Sequence, residues 1–476
     1  MKWMLRLGLA LGFLASGPSR ADVVIPYNEY SASPTIGRGT GTSTDPRDVG
    51  YGAVRIFIEK VATATRTLPA GQKVTFVPDP KTHRAVSALR AGVQFGSSTG
   101  ENGPAFSDPS WGFIYNSVPF GTNFEQMLTF LYDAKVDSEG RNGMQLAQAV
   151  LDARGGTQIV FPIVGSTMQG SGYFPSPIGP ATCEKGDADC AQQAGGIGLA
   201  GLCTSGWRIR YLSPPQDIIE RACDILVERG HIPKNTLTFY PPVGGQSVLL
   251  PMQRRAIQGF EYVNPSDDFV DFFPIKNATE KQPLGNPDAG DLDCGEALPF
   301  PISAGTQSSC SQNIGQIGAR FAHYPSWHQP FLLSWMHVDK GIWAGLNPAQ
   351  RSAILTAARE SVVDSYKAAE SIQCRKLQDM IDINEGLQQR NTDGSPRPVS
   401  AKITLARWPE EALAVLKEAT DDYFEILAGA NVTGEKTDAH KDFAEIAGAW
   451  RGYVKDAGAE TFTPGRFPAG ACAVAP

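Results

Sequence analysis

The stretch Gly206-Trp207-Arg208-Ile209-Arg210-Tyr211 alternates bulky apolar and charged residues with a period of two. As a strand it turns Trp207, Ile209 and Tyr211 to one side and Arg208 and Arg210 to the other. The first set suits a core. The second puts two permanent cations on one face, each a planar fork matched to a carboxylate or phosphate. In isolation the stretch reads as an edge strand with a solvated basic face, since Arg is mostly a surface residue. Its neighbours decide whether it is more than that.

Upstream, residues 157–164 (TQIVFPIV) form the strongest buried-strand run in the chain. Helical spacing precedes it at 124–132 and 142–154, the latter carrying Met144, Leu146, Val150 and Leu151 on one face and ending at Gly155-Gly156. Further back, a helix at 51–64 (Val54, Phe57, Ile58, Val61), a strand at 73–78, a short helix at 82–91 and a strand at 93–96 containing Phe95 give an alternating order. Residues 22–46 are polar and rich in Gly, Ser and Thr, an extended or loose start.

Downstream come a helix at 215–230 (Ile218, Ile219, Ala222, Leu226), a strand at 236–240 and a helix at 248–257. A strand at 331–338 precedes a long helix that starts at Asn347-Pro348 and runs to about residue 381, long enough to bridge two domains. A strand at 403–408, a helix at 409–427 with Pro409 at its first turn, and a helix at 443–454 complete the pattern. Residues 175–205 and 266–315 lack periodicity and read as insertions. Strands alternating with helices predict an α/β fold with partly parallel sheets.

A chain of 476 residues has room for two or three domains and a large core. Its formal net charge of -7 and the lack of any Lys/Arg run argue against a nucleic-acid surface. Lys2 and Arg6 precede an apolar run at 7–15, and Ser19-Arg20-Ala21 puts small residues where a signal peptidase cuts. This predicts a signal peptide over 1–21, Asp22 as the first mature residue, and export. The apolar run is well short of the ~20 residues a membrane span needs. Eight cysteines, an even number, fit an oxidising compartment. Cys183–Cys190 and Cys294–Cys310 are expected as short loop staples, and the remaining pairings stay open.

The sequence has no HExxH or P-loop, and the glycine-rich Gly37 to Gly41 has no clear helix after it. His323 and His328 flank Pro325 at a spacing unsuited to a helical metal pair. What remains is a set of polar residues beyond strand ends, the edge where open α/β sheets take ligands. Gln169 lies in the glycine loop after the 157–164 strand, Arg210 ends the next strand, and Glu261-Tyr262 follows the unit after that.

These residues carry a family likeness. The chain resembles the extracytoplasmic solute-binding proteins of tripartite ATP-independent periplasmic (TRAP) transporters, the DctP-like family. Val118-Pro119-Phe120-Gly121 is similar to the family's S-x-P-F-G segment. Gln169-Gly170-Ser171-Gly172-Tyr173-Phe174 is similar to its Q-x-G-G-W-F loop, and Gly206 to Arg210 to its G-L-K-x-R strand. Residues 250–264 (LPMQRRAIQGFEYVN) resemble its A-L-x-x-G-x-I-D-G-x-E region. Pro325-Ser326-Trp327-His328-Gln329-Pro330 resembles the P-G-W-H-E-P of the branch that binds 2-oxo and 2-hydroxy acids, and Asn347-Pro348-Ala349-Gln350 the start of the long helix. The likeness covers roughly 48–430. It departs in the two insertions, in Arg208 for a common Lys, Gln258 for Asp and Tyr262 for Trp or Phe.

The resemblance implies a two-lobed periplasmic solute-binding protein fold with a long bridging helix and loop insertions. Lobe one would span 22–157 completed by 331–365, and lobe two 158–330 completed by 366–476. It implies a small organic acid anion bound between them, clamped by Arg210 and lined by Gln169, Glu261, Tyr262, Arg208 and Phe95. Gln169, Glu261 and Tyr262 match positions that hold a metal ion, Ca2+ or Na+, bridging the ligand; no other cofactor is required. For Glu261 the alternative is a salt bridge to Arg208 or Arg210 that fixes the pocket. For Trp327-His328 a loop packing on the core is favoured. The implied partners are the membrane subunits of a TRAP-type permease, the location is the periplasm, and the receptor is a monomer or homodimer. No chemistry on the ligand is expected. The competing readings are an exported hydrolase or lyase on a similar scaffold, which needs a nucleophile-base pair, and a periplasmic ligand sensor.

Overall fold

The computed structural model describes residues 22–30, 49–78, 93–97, 109–115, 118–168, 170–179, 196–211, 214–241, 248, 251–252, 254–261, 319–324, 326–384 and 404–458. The helix expected at 82–91, the whole of the 266–315 segment and the Cys183–Cys190 and Cys294–Cys310 pairs lie outside them.

The first sheet is built from β1 (Val23–Tyr30), β2 (Val74–Pro78), β3 (Val93–Ser97), β4 (Gln158–Thr167) and β10 (Phe331–Asp339), in the order β2-β1-β3-β10-β4. β1 runs parallel to both β2 and β3, while β10 is antiparallel to β3 and β4. The extended or loose start expected at 22–46 contains a strand, β1, set between β2 and β3. Its Val-Val-Ile opening is short, and pairing with β2 and β3 is what makes it one.

β4 and β10 are apolar on both faces, as sheets covered on two sides require. On one face, Phe161, Ile163, Met336 and Val338 pack with Phe57 and Val61 of helix α1 (Val49–Arg66) and with Ile354 and Ala357 of the long helix α8 (Pro348–Asn384). On the other, Val160, Leu333 and Trp335 join Leu146 and Val150 of α4 (Gly143–Ala153) and Phe130 of α3 (Phe124–Tyr132). Fully burying one such side chain contributes about 1.5–3 kcal/mol. The short helix α2 (Pro109–Gly112) leads into Tyr115, whose carbonyl accepts from Trp335 Nε1–H at 3.2 Å.

The helices begin where local chemistry starts them. Asn123 and Asn142 each cap the backbone amide three residues on, and Gln126 and Gln145 return the bond. Asn347 and Gln350 form the same reciprocal pair at the start of α8.

The second sheet contains β5 (Tyr173–Phe174), β6 (Arg208–Arg210), β7 (Thr238–Phe239), β8 (Gly259–Phe260), β9 (Phe321–His323) and β11 (Thr404–Ala406), in the order β11-β9-β5-β8-β6-β7. α6 (Pro215–Glu228) and α9 (Glu410–Leu427) pack together beside it. α5 (Gly198–Cys203), inside the expected insertion, is tied to α6 by a Cys203–Cys223 disulfide. α7 (Lys340–Gly345) follows β10, and the last helix, α10 (Asp438–Asp456), carries Arg154's ion-pair partners Asp438 and Asp442.

Two details differ from the sequence reading. The helix expected over 248–257 gives way to turns at 254–258, where Arg255 takes a left-handed φ of 55°. The hydrophobic clusters also cross the expected lobe boundary: Trp111 to Leu151 pack in the same cluster as Ile209 and Phe424, while β4 pairs within the first sheet. α8 links the two sets. Its Ile354 and Ala357 pack on the first sheet, and Tyr366 stacks on Phe124 with ring centroids 3.7 Å apart.

Candidate functional site

Strand direction assembles the site. β6 is parallel to β7 and β8; β5 is antiparallel to β8 and to β9; β11 is parallel to β9. The carboxyl ends of β6, β7, β8, β9 and β11 therefore share one edge, and the chain enters β5 from that edge. Arg210, Glu261, Tyr324, residues 326–329, Trp408 and the 170–172 loop all gather there.

Arg210 and Glu261 meet at this edge. β6 and β8 pair with Arg210 opposite Phe260, and the Glu261 amide donates to the Arg210 carbonyl at 2.9 Å. Arg210 Nη1 donates to Glu261 Oε2 at 2.9 Å and to the Glu261 carbonyl at 2.8 Å. Only 4% of Arg210 and 2% of Glu261 is exposed. Two buried opposite charges stabilise each other only with good geometry and further hydrogen bonds. The salt-bridge alternative for Glu261 is thus realised, with Arg210 as partner.

Arg208 stands apart. It is exposed, its guanidinium lies 4.9 Å from the Tyr240 ring centroid, and its backbone exchanges hydrogen bonds with Gln258. The two arginines share a strand face, but that face passes from solvent at Arg208 to interior at Arg210. Phe95 lies in β3, where it pairs with Glu29 and Met336 in the first sheet. Gln169 and Tyr262 lie outside the described residues. Among the described residues, no group of three or more His, Cys, Asp or Glu is placed to hold a metal ion.

Beneath the ion pair is a network the sequence did not reveal. Tyr211 Oη donates to the Ser171 carbonyl at 2.6 Å, and Trp408 Nε1 donates to the same oxygen at 3.3 Å. Burial, then the nearby Glu261 charge, raises the Tyr211 pKa well above its ordinary value, so the hydroxyl stays a donor. Ser171 donates through N and Oγ to the His323 carbonyl at 2.8 and 3.0 Å. His323 Nε2 accepts from the Ile178 amide at 3.1 Å while Nδ1 faces the Gly172 carbonyl at 3.3 Å. Burial lowers its pKa to about 3. Both ring nitrogens are committed to backbone, so His323 is a structural tie. The glycines of the 170–172 loop were the available signal; their partners, more than 30 residues away in sequence, were not.

Trp327 is fully buried and packs on Phe120 and Trp408, with centroids 5.6 and 6.2 Å apart. Phe120 holds a positive φ of 54° and its amide donates to the Trp327 carbonyl at 3.0 Å. The loop therefore packs on the core as expected.

No protein-family model matches the sequence, and no curated protein matches it. Solved structures do. A TRAP transporter solute-binding protein from Bordetella bronchiseptica RB50, with copurified calcium and picolinate, aligns with TM-score 0.55 and 13% identity over 92% of this chain and 94% of that one. A TRAP periplasmic solute-binding protein from Colwellia psychrerythraea, with bound calcium and pyruvate, gives TM-score 0.57 and 13% identity over 92% of this chain and 96% of that one. One from Pseudoalteromonas atlantica T6c, with bound sodium and pyruvate, gives TM-score 0.53 and 13% identity over 93% and 100%. With sheets, long helix and site edge laid out in this way, the chain has the α/β fold of the TRAP periplasmic solute-binding proteins.

Proposed function

We propose that this chain is the periplasmic solute-binding subunit of a TRAP-type transporter and takes a small organic acid anion at the Arg210–Glu261 edge. The observation that carries this reading is a guanidinium with 4% exposure, oriented by Glu261 at the carboxyl edge of parallel strands. A planar fork suits one guanidinium to serve Glu261 and a ligand carboxylate together. Two carboxylates side by side repel, and a hard cation between them removes the repulsion. Glu261 supplies a hard oxygen for Ca2+ or Na+; the amide oxygen of Gln169 and the main chain of Tyr262 are proposed as its companions. The fold neighbours bound to calcium or sodium with pyruvate or picolinate support the same chemistry.

In this reading the first sheet and the second form two lobes, α8 bridges them, and closure excludes water from the anion. The loaded protein then passes its ligand to membrane permease subunits without chemical change. The test is a thermal-shift screen and native mass spectrometry of the mature chain with organic acids, with and without Ca2+. Binding that persists unchanged in Arg210→Ala overturns the clamp. Loss of binding on chelation supports Ca2+ at Glu261, whereas binding indifferent to both chelator and Na+ removes the cation.

A further inference from the structure

A cavity of about 220 Å³ lies between the 118–120 turn, α9 and α10. Neither Arg210 nor Glu261 lines it, so it is separate from the sheet edge described above. Its walls are apolar: Val118, Phe120, Phe424, Trp450 and Val454. The turn that forms one wall is held by hydrogen bonds. The Gly121 amide donates to the Val118 carbonyl at 2.9 Å, and the Phe120 amide to the Trp327 carbonyl at 3.0 Å. The facing wall is an aromatic pair, Phe424 and Trp450, with centroids 6.0 Å apart. A Cβ added at Gly121 would stand 3.2 Å from the Trp450 ring, which brings the turn close against that pair.

The rim is cationic. Lys417, Arg451 and Lys455 line it, and among the described residues Asp421 is the one carboxylate that does. Asp421 lies 3.4 Å from Lys417. Glu425, next to Phe424 in α9, takes Arg451 Nη1 at 2.7 Å and leaves the other donors of that fork. Among the described residues Lys455 has no carboxylate within ion-pair distance. This excess of positive charge stands on a chain whose formal net charge is -7.

Size and charge together name the occupant. An apolar cavity of about 150 Å³ already holds benzene. The larger volume here has room for one ring and a short acid arm. Ligand pockets of this kind bury an apolar body and orient it with a few polar groups. A neutral hydrocarbon would leave the rim unused, and an ammonium would meet like charge. We infer that this cavity is a second ligand site, which takes a small arylalkyl carboxylate. The ring lies against Phe120, Phe424 and Trp450, and the carboxylate turns to Lys455 and Arg451, where its hydrogen bonds are charge-assisted. This site is independent of the Arg210 reading.

Fluorine NMR of the mature chain tests it with para-fluorophenylacetate, and with para-fluorophenethylamine as a cation of similar size. The acid is expected to bind with a Kd of about 1 mM or tighter, and the amine at least about fivefold more weakly. Lys455→Glu, at an exposed position, should weaken acid binding by about threefold or more and narrow the preference over the amine. Lys367→Glu makes the same charge change on the exposed side of α8 and should leave binding unchanged. Val454→Trp, at a half-buried position, fills the cavity and should remove binding of both probes. Equal affinity for acid and amine overturns the inference, as does a loss in Lys367→Glu equal to that in Lys455→Glu. Acid binding unaffected by Val454→Trp and Lys455→Glu but displaced by pyruvate places the probe at the Arg210 edge and overturns this site alone. Failure of the acid to bind wild type also overturns it, and leaves the Arg210 clamp standing.

Discussion

Arg210 reaches Glu261 twice through one nitrogen: Nη1 holds the carboxylate Oε2 at 2.9 Å and the main-chain carbonyl at 2.8 Å. The side chain is thereby locked to the backbone of the neighbouring strand as well as to its charge. Removing either partner leaves a buried charge exposed to an apolar interior, which destabilises by about 3–5 kcal/mol. Arg210→Ala and Glu261→Ala are each expected in that range by urea unfolding. The double variant should lose less than the sum, with a coupling of about 1 kcal/mol or more. Strict additivity would show that the pair does not interact in solution.

Three buried histidines make the protein acid-sensitive. Burial holds His323 and His328 to about 3 and His337 to about 4. In the unfolded chain each titrates near ~6.5. On acidification the unfolded state takes up protons first, so stability is fully present above ~6.5 and is lost as pH falls toward the folded values. The loss is about 1.4 kcal/mol per pH unit for each histidine. Urea midpoints measured from neutral pH downward should fall steeply below ~6.5, and His337→Gln should lessen the slope. A flat profile across that window would show that these rings are solvated in solution.

Gly172 cannot carry a side chain. Its φ is +125°, and an added Cβ would sit 2.6 Å from the Phe174 ring and overlap the Tyr211 hydroxyl. Gly172→Ala is expected to destabilise by at least ~2 kcal/mol through backbone strain and overpacking. It should also displace Tyr211 and weaken anion binding. Gly155→Ala, also at positive φ but with open space around the position, serves as the comparison and should leave binding unchanged.

The Cys203–Cys223 bridge closes a separation of 20 residues between α5 and α6. Constraining the unfolded chain over such a loop is worth about 3 kcal/mol. Replacing both cysteines by Ala should lower the urea midpoint accordingly without abolishing ligand binding, because the bridge lies in the core beside the sheet rather than at the Arg210 edge. An unchanged midpoint would show that the bridge contributes no net stability.

The elements with strong local signals were legible in sequence. The 124–132 helix coincides with α3 (Phe124–Tyr132), and the long apolar run with β4 (Gln158–Thr167). Where a local rule was overridden, a particular residue did it: Arg255 turns left-handed and ends the helix expected through 257. β1 is legible only as an extended or loose start because its hydrophobic opening is short and its stability comes from parallel partners at β2 and β3. Of the site, Arg210 and Glu261 were legible as chemistry, through a resemblance and a position after strand ends. Arg208 was grouped with Arg210 by period-two alternation, which assigns a face but not its depth, and the two differ in depth.

The sequence by itself determined the strand and helix periods, the Asn–Gln capping pairs and the residue types able to clamp an anion. All of these depend on residues within a turn or two of one another. Only the tertiary structure decided that Arg210 is buried against Glu261, that Cys203 finds Cys223, and that His323 and Trp408 support the Ser171 loop. Those contacts join residues far apart in the chain. The contacts at the site exist because parallel pairing of β6 with β8, and the reversal at β5, bring separate loops to one sheet edge. Which strands pair is settled by the burial of the whole sheet.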